Sequence, residues 1–424
     1  MGYFWRVYLE SVEGFILDTT ELDDTDVRLG YVSTELDDPR VKIRSVNYQG
    51  GRNRELDNFP PTTISVVFDN RDGLFNPNNT SSPYYGLIYP GKQINVQYVN
   101  SFPNFFYDRR SDAFTGVVTS WSFDFDVNGD AIATVTAKDL LGKLAGIEIA
   151  PSVVPQESTA ARFNRICTLA GLNASQFQSN LSYSVMAAGT ISGDALQLLQ
   201  DVAFHEQGYV VARPNGVIYF GERNWLQRVP NYFFSQGEPY VDPDLPFYFP
   251  VYPSAYESLA MTYSDDSIAN YVTTTSSLGT ATAVNSQSIS IYNQTNQSYE
   301  VTFSSFAQQT QLARWLATTY GLPEFRPLEL TFSMDALLAL PPLNGTTAFP
   351  FTQLNSYGLL AQVKFDPPGS GEVIDSLYVV SSWKHSSTPS GYTVTIGLEP
   401  ATFANLFILD DPQNGLLDTN ILAF

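Results

Sequence analysis

Two stretches of the chain, Val117-Val118-Thr119-Ser120-Trp121 and Val379-Val380-Ser381-Ser382-Trp383, have nearly the same sequence. The second follows the first at an offset of 262 residues, from 117 to 379, and the turn pairs Asn128-Gly129 and Ser390-Gly391 keep that offset. A run of β-branched and aromatic residues before an Asn-Gly pair predicts a β-hairpin, because Asn-Gly fits a type I′ turn. A hairpin repeated near both ends of the chain therefore predicts a duplicated β domain.

Length and composition favour a sheet-rich protein of several domains. The chain has 424 residues, and roughly 100 to 200 residues per domain is the usual size, so we expect two or three domains. Hydrophobic residues make up 43% of the chain, aromatic residues 14% and charged residues only 15%. This balance is typical of sheets with extensive buried or subunit-facing surface.

The net charge argues against binding to nucleic acid or to anionic lipid. There are 43 acidic and 22 basic residues, which gives a net charge of -21. Such a surface repels phosphate groups. The same sign would suit a channel through which DNA slides without sticking, although acidic surfaces more often serve solubility alone.

The cysteine content and the apolar runs predict the compartment. Cys167 is the single cysteine, so an internal disulfide is impossible, and we expect folding in a reducing cytosol. No apolar run approaches the ~20 residues of a membrane span, so we expect no membrane insertion.

The periodicity divides the chain into five segments. Residues from about Val41 to Ala145 alternate apolar and polar side chains at period two, which predicts a first β domain over residues 1–150. Residues 151–228 predict a small α+β domain, with one helix over 159–170 between a Ser158 cap and Gly171, a second between Ser192 and Gly208, and a closing hairpin. Residues 255–405 predict a second β domain with one helix over 306–320, and residues 406–424 a docking tail. The fold class is thus mainly β (α+β), with two similar β domains around the small domain.

The fifth segment, residues 229–254, is rich in proline and aromatic residues and predicts an extended linker, since proline is excluded from central strands. Its aromatic side chains allow two interpretations: a subunit interface, which the low charge favours, or a platform for glycan. The candidate contact residues are Tyr240, Phe247, Tyr248, Phe249 and Tyr252.

Motifs that suggest chemistry are incomplete. The run from Gly86 to Lys92 has phosphate-loop spacing, but Gln93 follows where Ser or Thr is required, and a strand follows instead of a helix. The run from Asp124 to Asp130 begins like a calcium loop, but its twelfth position is Val135. The histidines, His205 and His385, are far apart in sequence. We therefore predict no catalytic residues, no metal and no cofactor.

Short stretches throughout the chain resemble a family of minor tail proteins of long-tailed bacteriophages. They include Gly50-Gly51-Arg52-Asn53-Arg54-Glu55-Leu56-Asp57-Asn58-Phe59, Arg71-Asp72-Gly73-Leu74-Phe75-Asn76-Pro77, Ala137-Lys138-Asp139-Leu140-Leu141-Gly142-Lys143-Leu144-Ala145, Ser192-Gly193-Asp194-Ala195-Leu196 and Ile408-Leu409-Asp410-Asp411-Pro412.

The resemblance implies a structural virion protein, the hub of a tail tip or baseplate. Such hubs are homotrimers in which two tube-type β-barrels per chain give six, a pseudo-sixfold ring that adapts a hexameric tail tube to a threefold tip. The resemblance thus implies that the two β domains, residues 1–150 and 255–405, are β-barrels. The implied partners are the tail tube, the distal tail proteins and other tip proteins, with genomic DNA passing through the lumen. Assembly would take place in the host cytoplasm.

Two other functions stay open at this point. A receptor- or glycan-binding tail module is supported by the aromatic segment. A peptidoglycan hydrolase is the less favoured alternative.

Overall fold

The architecture is that of a computed structural model, which describes residues 2–12, 32–38, 41–52, 57–101, 109–180, 182–222, 232–236, 252–265, 268–323, 326–333, 355, 357–369, 371 and 373–401. Strands dominate and helices are few, so the prediction of a mainly β fold with some helix is confirmed.

The first of the two repeats, called here the first half, covers residues 2–138, and its secondary-structure elements are all strands in the described residues. They are β1 (Gly2–Val12), β2 (Val32–Glu35), β3 (Ile43–Gly51), β4 (Thr63–Asp69), β5 (Gln93–Ser101), β6 (Arg109–Phe125) and β7 (Ala131–Lys138). In β4 and β7 buried and half-buried residues alternate, as the period-two sequence predicts.

The middle unit, residues 140–222, mixes helices and short strands. Its elements are α1 (Leu140–Leu144), β8 (Glu148–Val154), β9 (Glu157–Ser158), α2 (Thr159–Leu169), β10 (Phe177–Ser179), β11 (Val185–Met186), β12 (Gly189–Asp194), α3 (Ala195–Glu206), β13 (Tyr209–Ala212) and β14 (Ile218–Gly221). Ser158 Oγ accepts a hydrogen bond from the N–H of Ala161, so the predicted cap of α2 is confirmed. α3 and the β13–β14 hairpin also lie where the sequence predicts them.

The second half begins after the middle unit. Its elements are β15 (Tyr232–Gln236), β16 (Tyr252–Tyr256), β17 (Ser258–Thr262), β18 (Tyr271–Ser276), β19 (Gly279–Val284), α4 (Ser286–Tyr292), β20 (Asn296–Glu300), α5 (Phe306–Thr319), β21 (Arg326–Ser333), β22 (Leu360–Phe365), β23 (Ile374–Thr388) and β24 (Gly391–Pro400). The predicted helix is α5, whereas α4 is a helix that the sequence analysis missed.

Fourteen of the described strands form one sheet that runs through both halves. Its main path is β16-β15-β22-β23-β3-β4-β7-β6-β5-β1-β2, and β24, β21 and β17 continue from the other side of β23. Neither half forms a closed barrel within the described residues. The physical reason is the antiparallel pairing of β3 with β23, which merges the two halves into a single sheet.

The duplicated hairpin is also duplicated in structure. The β6–β7 register shifts between Val118 and Ser120, and the β23–β24 register shifts between Val380 and Ser382, again 262 residues later. Both hairpins thus carry a bulge at the same place, an extra residue that bends and twists the strand. The strands next to them match as well, since β4 pairs with β7 as β21 pairs with β24.

A separate α+β unit lies between β17 and β21. Its sheet has the order β19-β18-β20, and α5 packs against it around the buried Leu312, Ala313 and Leu316. The assignment of residues 255–405 to one domain stays a prediction. In this unit β18 pairs in parallel with β20, and a parallel pair needs a crossover connection, which here includes α4.

The aromatic segment is strand at both of its described ends. β15 pairs in parallel with β16 and with β22, so these residues belong to the main sheet. Pro253 lies in β16, which pairs with β15 alone among the described strands and is therefore an edge strand, the position that proline tolerates. The assignment of 229–254 as a linker between domains stays a prediction.

In the described part of the chain, none of the helices has the length and apolar character needed to span a membrane.

His205 connects the middle unit to the unit that contains α5. Its Nδ1 lies 2.6 Å from the carbonyl oxygen of Asp201, and its Nε2 accepts a hydrogen bond of 2.7 Å from the N–H of Thr302. The ring is buried, and Phe303 packs on it edge to face at 4.8 Å between ring centroids. Burial lowers the pKa of His205, helped by Arg162 and opposed by Asp201, so the neutral ring is the folded form.

We predict that acid destabilises this contact through His205. Because the folded pKa lies below the unfolded value of about 6.5, the unfolded chain binds the proton first as the pH falls. The unfolding free energy should therefore fall below about pH 6.5, by at most ~1.4 kcal/mol per pH unit from this group. Urea unfolding at several pH values measures the slope, and His205→Gln should reduce it. Equal slopes in the two proteins would contradict the assignment.

Candidate functional site

The contact between the two halves is the most elaborate polar and aromatic arrangement in the described residues. We call it the seam, defined as the paired segments Val46–Gly51 of β3 and Ser382–Ser387 of β23 with the side chains that touch them. The pairing is antiparallel and runs from Val46 opposite Ser387 to Gly51 opposite Ser382. The seam joins residues more than 300 positions apart, so it fixes how one repeat sits beside the other.

Two glycines allow β3 to approach β23 closely. A Cβ at Gly50 would lie 2.7 Å from the Trp383 ring, and the Trp383 side chain is buried under this strand. Gly51 has φ +89°, and a Cβ there would lie 2.2 Å from the carbonyl oxygen of Ser381, the bulge residue. The seam thus needs glycine at both positions. At Gly50 the reason is space alone, and at Gly51 it is both space and the positive φ.

An aromatic cluster fills the interior side of the seam. The rings of Tyr48 and His385 stack with centroids 4.3 Å apart and planes 8° apart, and His385 Nδ1 lies 2.7 Å from the Tyr392 hydroxyl. Trp5 packs edge-on against Tyr48, Tyr98 and Tyr392, and its indole N–H donates to Ser387 Oγ at 2.9 Å. Strands from both repeats therefore share one core here.

A buried ion pair closes one end of the seam. Arg52 donates two hydrogen bonds to Glu399 of β24, at 2.6 and 2.5 Å, and its guanidinium lies over the rings of Phe59 and Tyr357. Burial disfavours the charge on Arg52, but Glu399 and the hydrogen bonds to it outweigh burial and raise the pKa of Arg52 further above its usual range. The pair thus depends on both partners being present.

A depression lies beside the seam, lined by residues of β3, β4, β6, β7 and β23. Its volume is about 340 Å³, and Asn47, Gln49, Lys138 and Lys384 are among its lining residues. The described residues contain no cluster of histidine, cysteine and carboxylate side chains suited to a metal ion.

The motifs set aside in the sequence occupy turns and cores. Residues 83–92 form consecutive turns that lead into β5, and Asp126 N–H bonds to the Asp130 carbonyl in the β6–β7 hairpin. Cys167 lies in the core of the middle unit, where burial raises the pKa of its thiol to about 12. The two histidines lie at separate contacts, His205 in the last turn of α3 against Thr302 and His385 in the seam.

The structure describes one of the five predicted contact aromatics, and that one by its backbone. Tyr240, Phe247, Tyr248 and Phe249 lie outside the described residues, and Tyr252 is the first residue of β16. Their role in subunit or glycan contact stays a prediction. The seam itself was missed, although Gly50-Gly51 and the duplicated Ser-Trp pair were visible as signals.

No protein-family model matches the chain, and no curated protein matches it in sequence. Solved structures do match. The tail protein from Neisseria meningitidis MC58 aligns with 11% identity and a TM-score of 0.59, over 95% of this chain and 97% of the other. The 43 kDa tail protein of prophage MuSo2 from Shewanella oneidensis aligns with 11% identity and a TM-score of 0.55, over 93% of this chain and 98% of the other. The chain therefore shares its fold with these two tail proteins over most of its length.

We predict that Gly51→Ala opens the seam. The control is Gly129→Ala, because Gly129 has a similar φ of +84° but open space where the Cβ would lie. The control should lose about 1–2 kcal/mol of unfolding free energy for the left-handed backbone alone. Gly51→Ala should lose ~1–3 kcal/mol more, because the Ser381 carbonyl cannot move aside without breaking the bulge. Urea unfolding measures both, and equal losses would contradict the role of the close approach.

We predict that Arg52→Met costs about 3–5 kcal/mol, because it leaves the carboxylate of Glu399 buried without its partner. The matched variant is Arg52→Met with Glu399→Leu, which should recover most of that loss since both charges are then absent. Urea unfolding of the two variants and of wild type gives the comparison. A double variant as unstable as the single one would show that the pair matters for another reason.

Proposed function

We propose that the chain is a structural virion protein, the subunit of a homotrimeric hub at the phage tail tip or baseplate. The single observation that carries the proposal is the internal repeat: two halves with the same bulged hairpin, held side by side by the seam. Three chains would supply six similar units. Such a ring matches a hexameric tail tube on one face and a threefold tip on the other.

The strand pairings support a barrel-like wall for each half. In the first half, pairings lead from β3 through β4, β7, β6, β5 and β1 to β2, which precedes β3 in the chain. In the second half they lead from β17 through β21, β24, β23, β22 and β15 to β16, which precedes β17. Both circuits return to a neighbouring stretch of chain, so each half would form one barrel-like unit, and three chains would supply six such units.

The net charge of -21 supports a lumen through which genomic DNA passes without specific binding. Like charges repel phosphate groups, so the wall of the channel would not retain the genome. The hub would contact the tail tube, distal tail proteins and other tip proteins. Its role is non-enzymatic, and no cofactor takes part.

We predict a trimer in solution. Light scattering after size exclusion at micromolar concentration should give the mass of three chains of 47.0 kDa, and electron microscopy should show a ring with a pseudo-sixfold outline. A monodisperse monomer that does not bind purified tail tubes would overturn the proposal. Binding to a glycan array would instead favour the receptor-binding module, and cleavage of host peptidoglycan the hydrolase.

A further inference from the structure

The two repeats differ in how the long strand of the hairpin is covered. One edge of β23 pairs with β24 along its length. The other edge pairs with β22 before the bulge and with β3 after it. In β6, the segment before the bulge pairs with β5 in the same way. The segment after the bulge, Ser120–Phe125, pairs with β7 alone among the described strands. One edge of β6 is therefore open where β23 is covered.

The side chains report the same difference. The equivalents of Trp121, Phe123 and Phe125 at the 262-residue offset are Trp383, His385 and Ser387. The second set is 3%, 0% and 4% exposed, because β3 and its neighbours cover it. Trp121 and Phe123 are only half-buried, and Phe125 is 69% exposed. The open edge thus carries apolar surface that its counterpart buries.

A second open edge belongs to the strand equivalent to β3. β17 pairs with β21 as β3 pairs with β4, and the buried Phe332 of β21 corresponds to the buried Phe68 of β4. On its other side β3 pairs with β23, whereas β17 has no further partner among the described strands. Within the described residues, each side of the seam therefore has an equivalent with an open edge. The equivalent of the β23 side is Ser120–Phe125 of β6, and the equivalent of the β3 side is β17.

We propose that β17 of one chain pairs with the Ser120–Phe125 edge of β6 in a second copy of this chain, and so repeats the seam between subunits. The occupant is a second copy because the chain already contains this contact once, built from the equivalent strands. The pairing deepens the proposed trimer by naming its interface. Main-chain hydrogen bonds would satisfy both open edges, which otherwise invite uncontrolled association.

The contact joins unlike edges, so it is head-to-tail and propagates from chain to chain until a ring closes. The register follows from the seam. Asn47 lies opposite Ser386, and the side chains touch at 2.8 Å. The corresponding residues are Ala260 in β17 and Asp124 in β6, both exposed. These two should lie opposite each other across the subunit boundary.

Cysteine cross-linking tests this register in the full-length protein. Directly opposed strand residues place their Cβ atoms about 4.5–5.5 Å apart, so a small backbone shift at the two edge strands brings them within the ~3.5–4.5 Å that a disulfide needs. A chain with Asp124→Cys and Ala260→Cys should give mostly linked dimers and trimers after mild oxidation, seen on a non-reducing gel. The single variants are the matched controls and should stay unlinked. Cys167 is buried and does not interfere.

Hydrogen exchange is the second measurement, and it needs no substitution. The amides of Ser120–Phe125 and Ser258–Thr262 should be protected in the trimer and should exchange faster on dilution to monomer. A trimer without the cross-link and without protection overturns the edge pairing and leaves the hub proposal standing. A monomer overturns both. A ladder that continues beyond the trimer supports the pairing but contradicts closure by three chains.

Discussion

The structure depends on the antiparallel pairing of β3 with β23. Hydrogen bonds alone would hold two strands together, but here Gly50 and Gly51 bring the backbones so close that Trp383 and the bulge at Ser381 fit against them. The Tyr48 ring of β3 then stacks on the His385 ring of β23, a contact that needs one strand from each repeat. Because packed contacts of this kind tolerate little displacement, the seam sets the relative orientation of the two halves.

The sequence predicted the local elements well because their signals are local. Ser158 and Gly171 bracket α2, and the apolar side chains of α5 recur at helical spacing, so both helices were found. α4 was missed because Ser286-Gln287-Ser288-Ile289-Ser290-Ile291-Tyr292 has no apolar face, and its buried member is a serine. Here α4 connects β19 to β20, which pairs in parallel with β18, and this tertiary context overrides the weak helix propensity.

The candidate site was beyond sequence reasoning for a different reason. The repeat showed that two similar hairpins exist, but not that β3 of one lies against the hairpin of the other, since register between distant strands follows from packing. The Arg52–Glu399 pair illustrates this, because nothing in either local sequence indicates a partner nearly 350 residues away. Two separate barrels were therefore expected where one continuous sheet exists.

The likeness of the two halves is confined to the strand wall, and this bears on how one chain can serve two symmetries. The middle unit follows β7, whereas the unit containing α5 is inserted between β17 and β21. The two α+β units are thus inserted at different positions in the strand order of their repeats. The two units nevertheless contact each other through His205 and Thr302. In a ring of three chains, the wall would present six near-equivalent positions, while the attached units would repeat only three times. In the proposed trimer, a duplicated wall with unequal insertions would therefore meet both requirements of an adaptor within a single polypeptide.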